Sequence, residues 1–155
     1  MMGYLITEIE DGILATLQAE ASLESVVTWE VLTDLRRETW QRLIRRYPAI
    51  GVLSQHGTYD YGIPSVQDET GTFAIICIHR NLRSAAEALR GTTGEIGVWD
   101  MIDACRNAML NSTLGGLDLI DCMPVRRQLL FAAGDWAAAS LDVEIMWRHT
   151  PLGGD

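Results

Sequence analysis

The chain has 155 residues, 48% hydrophobic and 21% charged, a balance that suits one globular domain able to bury its own core. Its net charge of −9 at pH 7 opposes non-specific binding to nucleic acid, which depends on clustered cations against phosphate. All 12 basic residues are arginine, a bias that codon usage in a GC-rich genome accounts for, and one that removes Walker A, Schiff-base and lysine general-base chemistry.

No apolar run approaches the length needed to span a bilayer. The start, MMGYLITEIEDG, lacks a basic flank, so no signal peptide is expected. Three cysteines without a CxxC spacing predict reduced, buried thiols in a cytosolic setting, not a disulfide frame or a zinc site. A single domain over 1–150 with a loose tail at 151–155 is expected.

Residues 7–20, TEIEDGILATLQAE, predict a helix. Thr7 and Glu10 have capping-box spacing, and Glu8, Glu10 and Asp11 suit the positive end of the dipole. Ile9, Ile13, Leu14 and Leu17 make one apolar stripe. VVTWEVL, 26–32, is β-branched and aromatic, and predicts a strand. Residues 34–46 predict a helix with Trp40, Leu43, Ile44 and Tyr47 on one side, stopped by Pro48. A short strand follows over 49–55.

The stretch 57–71, rich in glycine and turn formers, reads as a loop or an extended hairpin tip, expected to be mobile until the protein assembles. TFAIICIHR, 72–80, predicts a strand buried on both faces. A short helix over 84–90 ends at Gly91. Residues 95–110 predict an amphipathic helix with Ile96, Trp99, Ile102, Cys105, Ala108 and Met109 along one side, preceded by a turn in which Thr93 is a candidate cap. A loop over 111–124 leads to two strands, 125–134 and 138–149. The order predicts an α+β fold, a mixed or antiparallel sheet with helices packed on one face.

The search for chemistry returns little. Cys77 and His79 lie two apart on a predicted strand and so share a face, which suits a nucleophile and base. Both also sit in a run that reads as core, where thiols are inert. His56 and His149 have no metal-ligand spacing. Asp100 with Asp103, and Asp118 with Asp121, have the spacing of paired carboxylates, but on exposed faces they read as solvated charge. GTTGEIG, 91–97, is glycine-rich ahead of a helix but lacks the GxGxxG spacing. No catalytic residue, cofactor or metal is expected.

Arg80 and Arg83, delivered by a buried strand, remain. Arg83 stands near a helix start, where the dipole disfavours cations. Either these arginines pair with local acids over the sheet edge, or they pair with another molecule, since arginine is favoured at protein interfaces.

Three blocks carry a family resemblance: LITEIEDGILATL at 5–17, FAIICIHRNLRSAAEALRG at 73–91, and GVWDMIDACRNAMLNSTLGGLDLIDCMPVRRQLLF at 97–131. Within them the TEIED, RNLR and NSTLGG–PVR motifs stand in order. On these the chain resembles the small tail proteins of Mu-like phages and prophages. The resemblance implies a fold similar to the lambda tail protein U and a ring-shaped homo-oligomer, a hexamer, made of tail-terminator or tail-completion subunits. Such a ring contacts the tail tube, possible sheath proteins and the head–tail connector, in the virion tail after assembly in the host cytoplasm. DNA passes through without specific binding, and no membrane is involved. The residues it nominates for subunit contact are Arg80, Asn81, Arg83, Tyr59 and Tyr61. Two other functions stay open on the residues alone: a head–tail adaptor, and a small Cys-dependent hydrolase using Cys77 and His79.

Overall fold

The computed structural model of the chain describes residues 6–63 and 66–149, apart from the side chains of 60–63, 66, 67 and 149; the tail at 151–155 lies outside them. In chain order the elements are α1 (Ile6–Gln18), a 3-10 turn (Ala21–Leu23), β1 (Thr28–Val31), α2 (Arg37–Leu43), β2 (Ala49–Ile63), β3 (Val66–Arg80), α3 (Ala85–Arg90), α4 (Val98–Met109), β4 (Leu119–Ala133) and β5 (Trp136–His149). The strands form one mixed sheet in the order β1-β2-β3-β5-β4. Only β1 runs parallel to its neighbour; the other pairs are antiparallel. The fold is α+β.

The centre of the sheet explains the rest. Every residue from Phe73 to Ile78 is fully buried. Side chains alternate across a strand, so Phe73, Ile75 and Cys77 face one way and Ala74, Ile76 and Ile78 the other. The first set joins Ile9, Ile13, Leu17, Met101, Ile102 and Cys105 in a large core with Val143, Ile145 and Trp147 of β5. The second set meets Trp40, Ile44, Leu53 and Trp136 in a smaller core. Burying a large aliphatic side chain stabilises by about 1.5–3 kcal/mol, so leaving either face of this run in water would be costly.

That requirement corrects the expectation of helices on one face. Three helices lie over the first face, but α2 lies on the other. Trp40 of α2 stacks on Phe131 of β4 at 5.9 Å, and Tyr47 meets Trp136 edge-on at 4.8 Å. The Trp40 indole N–H also donates to the Asp34 carbonyl at 2.9 Å, so the aromatic that seals the second core fastens the helix to the chain before it.

Several boundaries move for identifiable reasons. Helix α1 begins at Ile6, which places Thr7 inside the first turn and not at the cap. Helix α2 starts only at Arg37, because the Asp34 carboxylate takes the Arg36 N–H at 2.8 Å and holds a turn there. It ends at Leu43, since Ile44 turns extended and drops into the second core. Helix α4 starts at Val98: Thr92 and Glu95 exchange backbone hydrogen bonds, and Gly97, not Thr93, is the cap. A Cβ at Gly97 would come within 2.3 Å of the Gly91 nitrogen, so glycine is required by the close approach of backbone to backbone. Strand β4 begins at Leu119, inside the stretch expected as loop.

The largest correction concerns residues 57–71. Of the two expected forms, the extended hairpin is present and the open loop is not. Thr58 pairs with Thr70 and Gly57 with Gly71, while Gln67–Gly71 also pair with Ile145–His149 of β5. Gly71 reads as a turn former but is a packing site: a Cβ there would meet Phe73 at 2.9 Å and Trp147 at 3.0 Å. The β3 half of the segment is bonded on both sides, which argues against mobility there. Hydrogen exchange on the free chain should show slow amides at 68–71 and faster exchange on the outer edge of β2 beyond Ser54, because protection follows paired, buried backbone. Uniformly fast exchange across 57–71 would contradict the ladder.

Candidate functional site

Of the five residues nominated for contact, Arg80, Asn81 and Arg83 stand at and after the end of β3, and Tyr59 and Tyr61 on the outer half of β2. Arg80 ends β3 and is exposed. Its Nε donates to Asp135 Oδ2 at 2.8 Å, and its guanidinium lies 5.7 Å from the centroid of the Trp136 ring. The Arg80 hydrogen bond holds the Asp135 carboxyl below the usual carboxylate range. Asn81 is buried, 5% exposed. Its backbone N–H donates to the Asp135 carbonyl at 2.8 Å, its Oδ1 accepts from the Arg83 N–H at 2.9 Å, and its Nδ2 donates to Glu95 at 3.1 Å.

Arg83 precedes the cap of α3, where Ser84 Oγ accepts from the Glu87 N–H at 3.1 Å. The Arg83 side chain is exposed beside an open cleft shared with Thr92, Thr93, Gly94 and Glu95. Tyr59 is 55% exposed on the arm. Tyr61 falls opposite Gln67 in the backbone ladder, and its side chain lies outside the described set.

The RNLR corner is thus first of all a fastener. Strands β4 and β5 join through Gly134 and Asp135, with Gly134 at φ 63°, the left-handed conformation that short hairpins require. The carbonyls of that turn accept from the N–H groups of Asn81 and Ala85. The exit of β3 and the start of α3 are in this way tied to the far hairpin.

Cys77 and His79 behave as core. The Cys77 sulfur has Cys105 as its neighbour at 3.9 Å, and burial pushes its thiol well above the usual value. Burial likewise raises Cys122, to about 11. His79 is 3% exposed. Its Nε2 stands 3.3 Å from Glu95 Oε1 without the alignment of a hydrogen bond. Burial lowers its pKa, and the Glu95 charge opposes that only in part. A thiol held protonated beside a second thiol is not an activated nucleophile.

The paired aspartates separate into local roles. Asp100 accepts from the Gly97 N–H at 3.3 Å, and Asp121 from the Cys122 N–H at 2.9 Å. Among the described residues no group of His, Cys, Asp and Glu is placed to hold a metal. A shallow cleft of about 350 Å³ lies between α4 and β4, bordered by Asp103, Arg106, Arg126 and Arg127. Two of its arginines are engaged: Arg126 binds Asp142 at 2.8 Å, and Arg127 lies over Trp99.

The most distinctive surface was passed over in the sequence. The α2 segment leaves Leu35 and Leu43 each more than 40% exposed, in a stretch with exposed Arg36, Arg42, Arg45 and Arg46. The signal was present as five arginines in eleven residues, 36–46. Periodicity drew attention to the helix and not to its charge.

Two outcomes separate fastener from ornament. Asn81→Ala should cost about 1–3 kcal/mol in denaturant unfolding, since it orphans buried partners. Arg80→Ala should cost about 1 kcal/mol or less, as exposed ion pairs do. For His79, the folded pKa lies below the unfolded value of about 6.5, so below that pH the unfolded chain binds the proton first. Stability is then full above the mid-6 range and falls on acidification, and His79→Leu should flatten that slope in unfolding measured between neutral and mildly acid pH.

No curated protein matches the sequence significantly. A family model does match, that of Bacteriophage Mu, Gp37, over residues 5–141. That span takes in every element from α1 to β4 and the first part of β5, and the chain therefore belongs to the Bacteriophage Mu Gp37 family.

Proposed function

We propose that this phage structural protein is a tail-completion protein of the terminator kind. Copies form a ring, a hexamer, on the end of the tail tube, stop its growth and offer a surface to the head-side connector. Family membership supports a structural, tail-related virion component. The observation that carries the finer reading is how the chain spends its reactive groups. Its three cysteines and His79 are buried, while its exposed surface carries apolar side chains beside arginines. That is a surface for other proteins and not for a small substrate, and no catalysis is proposed.

Two sheet edges favour the same reading. Strand β4 has no neighbour on its outer side among the described residues, and β2 has none beyond Val52. Long open edges are templates for pairing with another chain. DNA in this scheme passes through the ring without specific contact, since acidic walls repel phosphate. Among the described residues no helix is long and apolar enough to cross a membrane.

The test is tail length by electron microscopy in a phage deleted for this protein and complemented in trans. Without the protein, tubes or sheaths of uncontrolled length are expected, and the wild-type chain should restore uniform tails. The Arg80→Ala/Arg83→Ala double variant should fold, by far-UV circular dichroism, yet restore length control poorly. Tails of normal length that fail to join heads in the deletion would replace the terminator reading with a head–tail adaptor. Normal infectious particles in the deletion would reject both.

A further inference from the structure

We propose that the α2 face of one copy docks on the α1 face of the next copy, and that this contact builds the ring. The inference rests on the ring reading above and names the surfaces that make it.

Charge is segregated along the chain. Residues 1–35 contain seven acids and no basic residue, whereas residues 36–46 contain five arginines and one acid. The fold places α1, with Glu8, Glu10 and Asp11, over the large core and α2 over the small one, on opposite sides of the sheet. Helix α1 therefore presents an acidic patch on one side of the sheet and the α2 segment a basic one on the other.

The basic face has the make-up of an interface. Leu35 and Leu43 are 46% and 48% exposed. The unit they stand on is held together: Thr28 Oγ1 donates to the Arg46 carbonyl at 2.7 Å, and Thr39 Oγ1 to Asp34 Oδ2 at 3.1 Å. Scattered exposed apolar residues are ordinary. Two on one short segment that also carries five arginines, 36–46, are the composition of a contact surface. Among the described residues Arg42, Arg45 and Arg46 have no ion pair.

The acidic face fits as the occupant. Glu8 and Asp11 are exposed about one turn apart on α1, with Ile6 37% exposed at its start. Glu10 between them is raised by partial burial and by the charge of Asp11, a crowding of like charge that an incoming cation relieves. Guanidinium groups are suited to such a site because they bind carboxylates in bidentate fashion. Because the two patches lie on opposite sides of the sheet, one neighbour does not meet both, as a self-complementary twofold would require. The contact is head-to-tail, and head-to-tail contacts generate rings when their rotation closes.

The experiment uses the full chain in sedimentation velocity and native mass measurement at low and high salt, alone and with tail-tube protein. Four samples are compared: wild type, Arg42→Glu/Arg45→Glu, Glu8→Arg/Asp11→Arg, and the equimolar mixture of the two variants. Wild type should assemble, more strongly at low salt. Each variant alone should lose association by at least about tenfold, and the mixture should regain it, because its contacts again join opposite charges. Neutral versions, Arg42→Gln/Arg45→Gln and Glu8→Gln/Asp11→Asn, stand in where circular dichroism shows a reversal variant unfolded.

Rings that persist in both variants would place the contact elsewhere and overturn this inference while leaving the ring reading intact. Loss in the α2 variant alone would show a different occupant, another protein or a nucleic acid, and also overturn it. A wild-type chain that stays monomeric at every concentration, even with tube protein, would sink the ring reading itself.

Discussion

Six consecutive buried residues in β3, Phe73 to Ile78, are the constraint from which this fold follows. A strand that is apolar on alternate residues needs one covering layer; a strand apolar on every residue needs two. The first is generous, with α1 and α4 over the large core. The second is a single short helix and the aromatic residues around it. Seven residues of α2 would be marginal as an isolated helix. It is held because Trp40 is 1% exposed and bonded through its indole N–H to Asp34.

That economy has a consequence for charge. A short helix that buries Trp40 has little apolar face left over, and five arginines stand in and beside it, at 36, 37, 42, 45 and 46. The other layer begins with a run of acids in α1. Covering both sides of the strand with these two segments sets an acidic helix on one side and an arginine-rich one on the other. Meanwhile the arginines that first look anomalous, at the end of β3, are partly explained within one copy. Arg80 is bonded to Asp135, and Asn81 pins the β4–β5 turn. Only Arg83 of that group points to solvent without a side-chain partner among the described residues.

The order of elements, the doubly buried strand and the inert thiols were legible because each rests on a local pattern: period, β-branching, or burial of an apolar run. Three things were not. The arm at 57–71 hides behind its glycines, and Gly71 is a glycine for want of room under Phe73 and Trp147, a fact that belongs to packing and not to local preference. The face on which α2 lies is a matter of topology: both faces of Phe73–Ile78 are apolar, so the sequence is symmetric with respect to that choice. The exposed apolar residues of the α2 segment, Leu35 and Leu43, were missed because they look like ordinary core positions until their exposure is seen. Conversely, Asn81 looks like a surface loop residue and is buried.

The central claim is that this chain closes the tail tube as a ring whose subunits meet through their oppositely charged faces. Electron cryomicroscopy of the end of purified tails measures this most directly. The map should show a ring of this fold seated on the tube, with α2 of each copy against α1 of its neighbour. A tube end without this fold, or a ring in which α2 faces solvent in every copy, would contradict the claim.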